Sequence, residues 1–234
     1  DWVVTCTAAN ASYLMDLAAQ PDKVTLLYHG LDFTRFDENT AAPSRRDGGS
    51  EVDPVHLVSV GRAVDKKGYE VLLAALAALP PTLNWRFSHI GGGELLDSLQ
   101  AEARDLGMDK RIEWLGALPQ TQVLAQYREA DLFVLPSKIS DDGDRDGLPN
   151  VLMEAQSQGL ACLSTRISGI PELIIHGETG WLVEQRNSVE LATALKELIV
   201  QPELRARLAQ AGFERGIPAA ERQRGVRGQT ELDL

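Results

Sequence analysis

Residues 55–79 read VHLVSVGRAVDKKGYEVLLAALAAL and contain one complete strand-turn-helix unit. The apolar run His56 to Val60 predicts a buried strand. From Tyr69 onward the apolar residues Leu72, Leu73, Leu76 and Leu79 fall on one stripe of a helix. A polar turn that contains Gly61-Arg62 and Lys67-Gly68 joins the two elements. This unit predicts a parallel sheet with crossover helices.

The same alternation continues to about residue 200. Further strands are predicted at Trp85 to Ile90, Arg111 to Leu115, Leu132 to Leu135, Ala161 to Ser164 and Trp181 to Val183. Further helices are predicted at Glu94 to Leu106, Gln122 to Glu129, Pro149 to Gln158, Ile170 to Ile174 and Val189 to Val200. The fold class is therefore α/β, a Rossmann-like parallel sheet with helices on both faces.

The segments that flank this domain have a different pattern. A strand at Trp2 to Thr5, a helix from Ala8 to Ala19 and a second strand at Val24 to Tyr28 come first, and such a small unit cannot bury its own apolar faces. Residues 38–54 have no periodic apolar face and are predicted to be a linker. The Rossmann-like domain is expected at 55–213, followed by an atypical, disordered tail at 214–234.

Composition excludes several classes of protein. The 234 residues include 34 acidic and 23 basic side chains, which disfavours a nucleic-acid surface. The two cysteines, Cys6 and Cys162, match no metal-site spacing and indicate a reducing compartment. No apolar run approaches the roughly 18 residues that a membrane-spanning helix needs. We therefore expect a cytoplasmic protein whose anion-binding sites are local.

The turn after the first strand of the domain is one candidate anion site. Ligands of open α/β sheets bind outside the carboxyl ends of the strands, where Gly61-Arg62 must lie. Arg62 offers a planar fork for phosphate oxygens, and Lys67 precedes a helix N-terminus that favours anions. Spacing alone supports equally a solvated surface turn made of Arg62, Lys66 and Lys67.

A second candidate site is the stretch DGLPNVLME at residues 146–154. Pro149 fits the first turn of a helix, and Asn150 and Glu154 share one face of it. Asp146 lies just before this helix, and Glu154 lies about one and a half turns into it. At about 1.5 Å per residue, the two carboxylates are roughly 7 to 8 Å apart along the helix axis. Without further support, Asp146 would be a helix cap and Glu154 a solvated side chain.

The two motifs together resemble the C-terminal domain of GT-B glycosyltransferases of family 4. That family has GR and KG after the first strand and an acidic-G-x-P-x-x-x-x-Glu-Ala motif before the fifth. The likeness covers residues 55 to about 213, and within it the chain is closest in motif to bacterial enzymes of exopolysaccharide and lipopolysaccharide assembly. Residues 1–37 resemble the end of the preceding acceptor-side domain and its hinge, where the chain reads HGLD at residues 29–32 and Arg35-Phe36.

The resemblance implies specific roles for these residues. Arg62 and Lys67, with Gly61 beside them, would bind the donor diphosphate, Glu154 the ribose, and Asp146 the hydroxyls of the donor sugar. Main-chain groups around Gly116 to Leu118 would border the base, and those of Gly147, Leu148, Asn150 and Val151 would contact sugar and phosphate. Arg62, Lys67 and Asp146 would be the catalytic residues.

Two departures from the family pattern bear on these roles. The family usually has Glu where this chain has Asp146, so the carboxylate is set back by one methylene. Family members also end in helices that cross back to the first domain, and residues 216–234 do not have that pattern. The resemblance nevertheless implies transfer of a hexosyl group from a nucleoside diphosphate sugar to a glycan or lipid-linked acceptor, with anomeric retention and without a metal or other cofactor.

Four alternatives compete with this interpretation. Asp142, Asp144, Asp146 and Gly147 match the opening of an EF-hand calcium loop, but Met153 stands where its closing glutamate belongs. Gly91 and Gly93 could begin the G-x-G-x-x-G motif of a dinucleotide-binding enzyme, but Leu96 stands where the last glycine of that motif belongs. A nucleotide-sugar-binding module without turnover and an epimerase of the same architecture also remain open. Because most of the acceptor-side domain lies outside the chain, we expect a donor-binding fragment that is inactive alone, derived from a protein that is cytoplasmic or peripheral to the inner membrane.

Overall fold

A computed structural model describes residues 2–28, 30 and 44–215 of the chain. The first unit consists of β1 (Val3–Thr5), α1 (Ala8–Leu17) and β2 (Val24–Leu26), and its two strands pair in parallel. Thr7 caps α1 by accepting a hydrogen bond from the Asn10 amide. Trp2, Val4, Leu17 and Leu27 remain more than half exposed, as expected for a unit too small to bury its own apolar faces.

The six predicted strands of the main domain form one parallel sheet in the order β5-β4-β3-β6-β7-β8. Its strands are β3 (Val55–Val60), β4 (Trp85–Ile90), β5 (Ile112–Trp114), β6 (Leu132–Leu135), β7 (Cys162–Thr165) and β8 (Trp181–Val183). Leu57 is the Cα partner of Phe87 on β4 and of Leu132 on β6, and all three residues are fully buried. The predicted fold class is confirmed.

Helices α2 (Tyr69–Ala77), α3 (Leu96–Asp105) and α7 (Ser188–Val200) pack together, and α2 contacts both of the others. Helix α4 (Gln120–Glu129) packs on β3, and α5 (Asn150–Ser157) on β6 and β7. A short helix, α6 (Ile170–Leu173), follows β7. Helix α4 begins two residues earlier than predicted because its first turn, after Pro119, is polar and carries no apolar period.

An additional helix, α8, spans residues 202–215 and was not predicted. It is fixed by the buried Arg205, whose guanidinium donates to the carbonyls of Leu198 and Ile199 at the end of α7. The same guanidinium donates to the Arg46 carbonyl. A buried arginine that satisfies a helix end cannot be recognised from the sequence, because the same residue is usually solvated.

The described part of the predicted linker contacts the domain. Arg46 pairs with Asp131 Oδ2 at 3.1 Å, and the same oxygen accepts a hydrogen bond from the His56 amide at the start of β3. The Asn84 amide donates to the Gly48 carbonyl. The domain boundaries themselves stay predictions, and residues 38–43, 216–234 and most of the predicted hinge, His29 and 31–36, lie outside the described residues.

One carboxylate joins the N-terminal unit to the main domain. Glu172 in α6 accepts hydrogen bonds from the amides of Ala8 and Ala9 at the start of α1, at 2.8 and 2.9 Å. The Tyr28 hydroxyl donates to the same carboxylate at 2.8 Å, and this hydrogen bond is the main reason that the pKa of Tyr28 is raised. The junction therefore lies beside the carboxyl edge of the sheet, close to β7.

Candidate functional site

The carboxyl ends of β3, β4 and β5 meet in a row of backbone contacts. Gly61 after β3 donates to the Ile90 carbonyl at 2.9 Å, and Gly91 donates to the Gly116 carbonyl at 2.8 Å. Gly116 has a φ of 65°, and Leu118 packs partly buried against the core. The structure thus brings Gly61, Gly116 and Leu118 to the same edge of the sheet.

The glycines after β4 allow two turns to pack against each other. A Cβ on Gly91 would lie 2.1 Å from the Gly61 oxygen, and one on Gly93 would lie 2.4 Å from the Ala63 oxygen. The Ala63 amide donates to Gly92 at 2.7 Å. What these glycines approach in the structure is the Gly61-to-Ala63 turn.

Gly68 fixes the position of the two lysines before it. It adopts a φ of 66°, and a Cβ there would lie 2.2 Å from the Pro136 oxygen, just after β6. The Lys138 amide donates to the Lys66 carbonyl at 2.9 Å. The single 3-10 turn Asp65–Lys67 is therefore held against the segment after β6. This is the point where the strand order reverses, between β3 and β6, and open α/β sheets bind ligands at such a point.

Lys67 and Asp146 contact each other. The Lys67 Nζ lies 2.7 Å from Asp146 Oδ2, and the two side chains are 12% and 17% exposed. The Lys66 Nζ lies 3.8 Å from Asp146 Oδ1 and 3.0 Å from Asp144 Oδ1. Asp146 is the residue expected to hold the donor sugar, and Lys67 is expected to hold the diphosphate. In the structure, the Asp146 carboxylate neutralises the Lys67 ammonium.

Arg62 is exposed and makes no ion pair within the described part of the chain. It lines a cavity of about 410 Å³ together with Lys66, Glu94 and Asp144. A guanidinium that lines a cavity and has no carboxylate partner can donate hydrogen bonds to phosphate oxygens with no internal contact to break.

The aromatic residues beneath the turn were not identified as site residues from the sequence. Tyr69 is buried, accepts a hydrogen bond from Ser59 Oγ at 3.2 Å, and leaves no room for a side chain at Gly61. His89 packs edge-on against the Tyr69 ring, and burial lowers the pKa of His89 to about 4. The floor of the turn is therefore uncharged at neutral pH, and the cations stand above it.

Lys138 is a further charged residue that the sequence did not reveal. It is buried and pairs with Asp65 and Glu70 at 2.7 and 2.5 Å. Burial lowers the pKa of Lys138, but the hydrogen bonds that its ammonium donates to Asp65 and Glu70 outweigh burial, and the net pKa is raised. The lysine remains charged and ties the loop after β6 to the first turn of α2. No local pattern could reveal it, because Glu70 is 68 positions away.

Helix α5 begins four residues after Asp146, whose carboxylate contacts Lys67. The helix begins at Asn150 and not at the predicted Pro149, because Pro149 has a ψ of 119° and lies in the extended region. Leu152 and Ala155 are buried and Val151 is half-buried, so this face of α5 packs on the sheet. The start of α5 contributes the partial positive charge of a helix dipole. Gly147 and Leu148 lead into it, and the Gly147 carbonyl accepts from the Gly169 amide at 2.8 Å.

Glu154 projects from α5 about one turn past its start. Its Oε2 lies 3.4 Å from the hydroxyl of Tyr127, a long hydrogen bond. Burial raises the pKa of Tyr127 well above its ordinary value, with a further contribution from the Glu154 charge, so the phenol stays a donor. Tyr127 therefore orients the carboxylate that the resemblance assigns to the ribose.

The acidic loop before Asp146 does not form a calcium cage. Asp144 and Asp146 point to Lys66 and Lys67, Asp142 accepts from the Asp144 amide, and Asp141 pairs with Arg186. Among residues 2–28, 30 and 44–215, no cluster of three or more potential metal-ligating side chains is present. The expectation that no metal is required stays a prediction. None of the helices in the described residues is long and apolar enough to cross a membrane.

The fold is an α/β parallel sheet, and Arg62, Lys66, Lys67 and Asp146 lie at its carboxyl edge. Residues 42–215 match the family described as glycosyl transferases group 1. The chain is 34% identical over 189 residues to a putative colanic acid biosynthesis glycosyltransferase, WcaL, of Salmonella typhimurium, covering 80% of this chain and 45% of that protein. The chain belongs to the group 1 glycosyl transferases, and it spans about half the length of the curated relatives it matches.

Two solved structures show the same fold. The Anabaena protein Alr3699/HepE in complex with UDP superposes with a TM-score of 0.77 at 20% identity, covering 97% of this chain and 64% of that one. The C-terminal domain of the group 1 family protein LpcC from Francisella tularensis superposes with a TM-score of 0.66 at 25% identity, covering 81% of this chain and 97% of that domain. The predicted Rossmann-like half of a GT-B fold is confirmed.

Proposed function

We propose that this chain binds a nucleoside diphosphate sugar and supplies the donor side of a retaining glycosyltransferase. The observation that carries the proposal is the grouping of Arg62, Lys66 and Lys67 at the strand-order reversal, where Lys67 contacts Asp146, four residues before the start of α5.

The positions of the site residues support the division of roles. Arg62 and Lys67 take the diphosphate, with the positive end of α5 beside them. Glu154, held by Tyr127, takes the ribose, and the turn at Gly116 and Leu118 borders the base. Asp146, which stands between the lysines and α5, takes hydroxyls of the donor sugar.

The chemistry that this arrangement supplies is electrostatic. When the bond between the sugar and the donor breaks, negative charge develops on the leaving diphosphate. Arg62, Lys67 and the α5 dipole stabilise that charge as it forms. The attacking hydroxyl comes from the acceptor, which we propose is held by a facing domain, and anomeric retention is part of the proposal.

Donor and acceptor classes are proposed from the relatives. The HepE structure is described with UDP, so UDP is the first nucleotide to test. WcaL is named for colanic acid biosynthesis, which favours a glycan or lipid-linked glycan as acceptor. A place in the cytoplasm, at or near the inner membrane, would suit such an acceptor.

Calorimetry with UDP, GDP and ADP, together with a transfer assay, tests the proposal. We expect the 234-residue chain to bind at least one of the three nucleotides and not to transfer sugar, because it spans about half of its relatives. Binding of none of the three would contradict the proposed donor site. Robust sugar transfer by this chain alone would contradict the proposed need for a facing domain.

A further inference from the structure

Two adjacent lysines share one carboxylate at the proposed donor site. Lys67 contacts Oδ2 of Asp146 at 2.7 Å, and Lys66 lies 3.8 Å from Oδ1 of the same side chain. Lys66 makes its shorter contact, 3.0 Å, with Asp144. The site therefore holds two ammonium groups and two carboxylates joined by three contacts, Lys67 with Asp146 and Lys66 with both carboxylates.

The position of Lys66 is set by the fold. Its carbonyl accepts from the Lys138 amide, and Gly68 locks the same turn against Pro136. Its side chain is only 16% exposed, and it lines the same 410 Å³ cavity as Arg62. Lys66 therefore cannot withdraw into solvent without disturbing the turn that also positions Lys67.

Asp144, in contrast, stands on an exposed turn. Its side chain is 57% exposed. The turn closes on itself through the Ser140 amide, which donates to the Asp144 carbonyl, and through the Asp144 amide, which donates to Asp142. Exposed ion pairs are weak, since water competes with the partner and the side chain loses freedom when it is held. The Lys66–Asp144 contact can therefore be replaced by a more highly charged anion.

We infer that Lys66 is a third cation of the diphosphate site and that Asp144 occupies it until a donor phosphate displaces the carboxylate. The inference rests on the proposed donor site. The Asp144 carboxylate lowers donor affinity by competing for Lys66, and it keeps the ammonium paired when no donor is present. Binding of the donor then releases the Ser140-to-Asp144 turn from the lysine.

The first test compares two single-charge changes in the same loop. Asp144→Asn removes the competing carboxylate, and Asp141→Asn removes one that pairs with Arg186 instead. Both variants remove one negative charge, so the overall electrostatic attraction between the protein and the nucleotide anion is the same in the two. We expect Asp144→Asn to bind UDP, GDP or ADP about two- to fivefold more tightly than Asp141→Asn, the range for losing one exposed ion pair. Equal affinities would overturn the inference.

The second test removes the lysine. We expect Lys66→Gln to weaken nucleotide binding about fivefold or more relative to Lys110→Gln, a matched change of an exposed lysine near the opposite edge of the sheet. In the Lys66→Gln background, Asp144→Asn should have no more effect than Asp141→Asn. If Asp144→Asn still increased nucleotide affinity in the Lys66→Gln background, the inference would be overturned, and the proposed donor site would be unaffected. If the unmutated chain binds none of the three nucleotides, the donor site and this inference both fail.

Discussion

Lys67 Nζ lies 2.7 Å from Asp146 Oδ2, although the two residues are 79 positions apart in the chain. The sequence motifs assign them to different parts of one ligand, the diphosphate and the sugar. The structure shows that they also hold each other in the absence of that ligand. Each therefore orients the other, and a change at either residue has two effects that an experiment must separate.

Loss of either predicted phosphate-binding cation should weaken nucleotide binding. We expect Arg62→Ala and Lys67→Ala each to cost about 1.5 to 3 kcal/mol of binding free energy, the range for hydrogen bonds to charged groups. Salt should weaken binding by the unmutated chain more than by either variant. Titration calorimetry at two salt concentrations measures both effects, with Lys110→Ala as the charge-matched control. Unchanged binding by both variants would mean that the phosphate site is elsewhere.

Amide substitutions separate the roles of Glu154 and Asp146. Glu154→Gln should weaken bare UDP and UDP-sugar alike by about 1 to 3 kcal/mol, because both ligands carry ribose. Asp146→Asn should remove only the extra affinity contributed by the sugar. It also frees Lys67 from its carboxylate, so bare UDP should bind as well as before or slightly better. Equal loss of bare UDP binding in the two variants would refute this assignment.

Gly68 should tolerate no side chain. A Cβ at Gly68 would lie 2.2 Å from the Pro136 oxygen, whereas Gly107 has a similar φ of 70° with no atom within 4 Å. Gly107→Ala should therefore lower the free energy of unfolding only by the roughly 1 to 2 kcal/mol that it costs to hold an alanine in the left-handed conformation. Gly68→Ala should cost about 1 to 3 kcal/mol more and should also impair nucleotide binding. Urea unfolding of the two variants isolates the contact, and equal losses of stability would show that the turn can move away from Pro136.

Two buried histidines should make stability fall in mild acid. Burial lowers the pKa of both His56 and His89 from 6.5 to about 4, and the Arg86 charge adds to the effect at His56. The unfolded chain therefore takes up protons near pH 6.5 that the folded chain resists until about pH 4. Between pH 7.5 and 5, each histidine should reduce the free energy of unfolding by about 2 kcal/mol.

Urea unfolding at those two pH values measures this dependence. His89→Leu should reduce the difference in unfolding free energy between the two pH values by about 2 kcal/mol, whatever its effect on absolute stability. If the unfolding free energy of His89→Leu changed between the two pH values as much as that of the unmutated chain, the pKa of His89 would not be lowered in the fold.

Nucleotide binding should not depend on a divalent metal. Asp142, Asp144 and Asp146 face separate partners and not a common centre. EDTA should therefore leave the affinity for UDP unchanged, and millimolar calcium should not increase it. If binding required calcium, and Asp142→Asn impaired it as much as Asp146→Asn, the calcium interpretation would be correct.

The sequence alone determined the order of strands and helices and the two motifs of the site. Buried parallel strands are continuous apolar runs, and amphipathic helices repeat their apolar residues along one stripe, so both features are local and can be recognised from sequence. Gly61-Arg62, Lys67-Gly68 and the 146–154 motif could be placed at strand ends and a helix start for the same reason. The exceptions were α8, whose buried Arg205 also donates to the Arg46 carbonyl 159 positions away, and Lys138, whose partner Glu70 is 68 positions away.

The tertiary structure decided which of these groups meet. The reversal of strand order between β3 and β6 brings Lys66 and Lys67 to Asp144 and Asp146, and no local pattern specifies that neighbour. It also decided that Gly68 must be a glycine because of Pro136, and that the glycines after β4 serve a contact between two turns. The physical reason is that an ion pair or a close backbone approach depends on distance in space, which the chain sets only after its strands have paired.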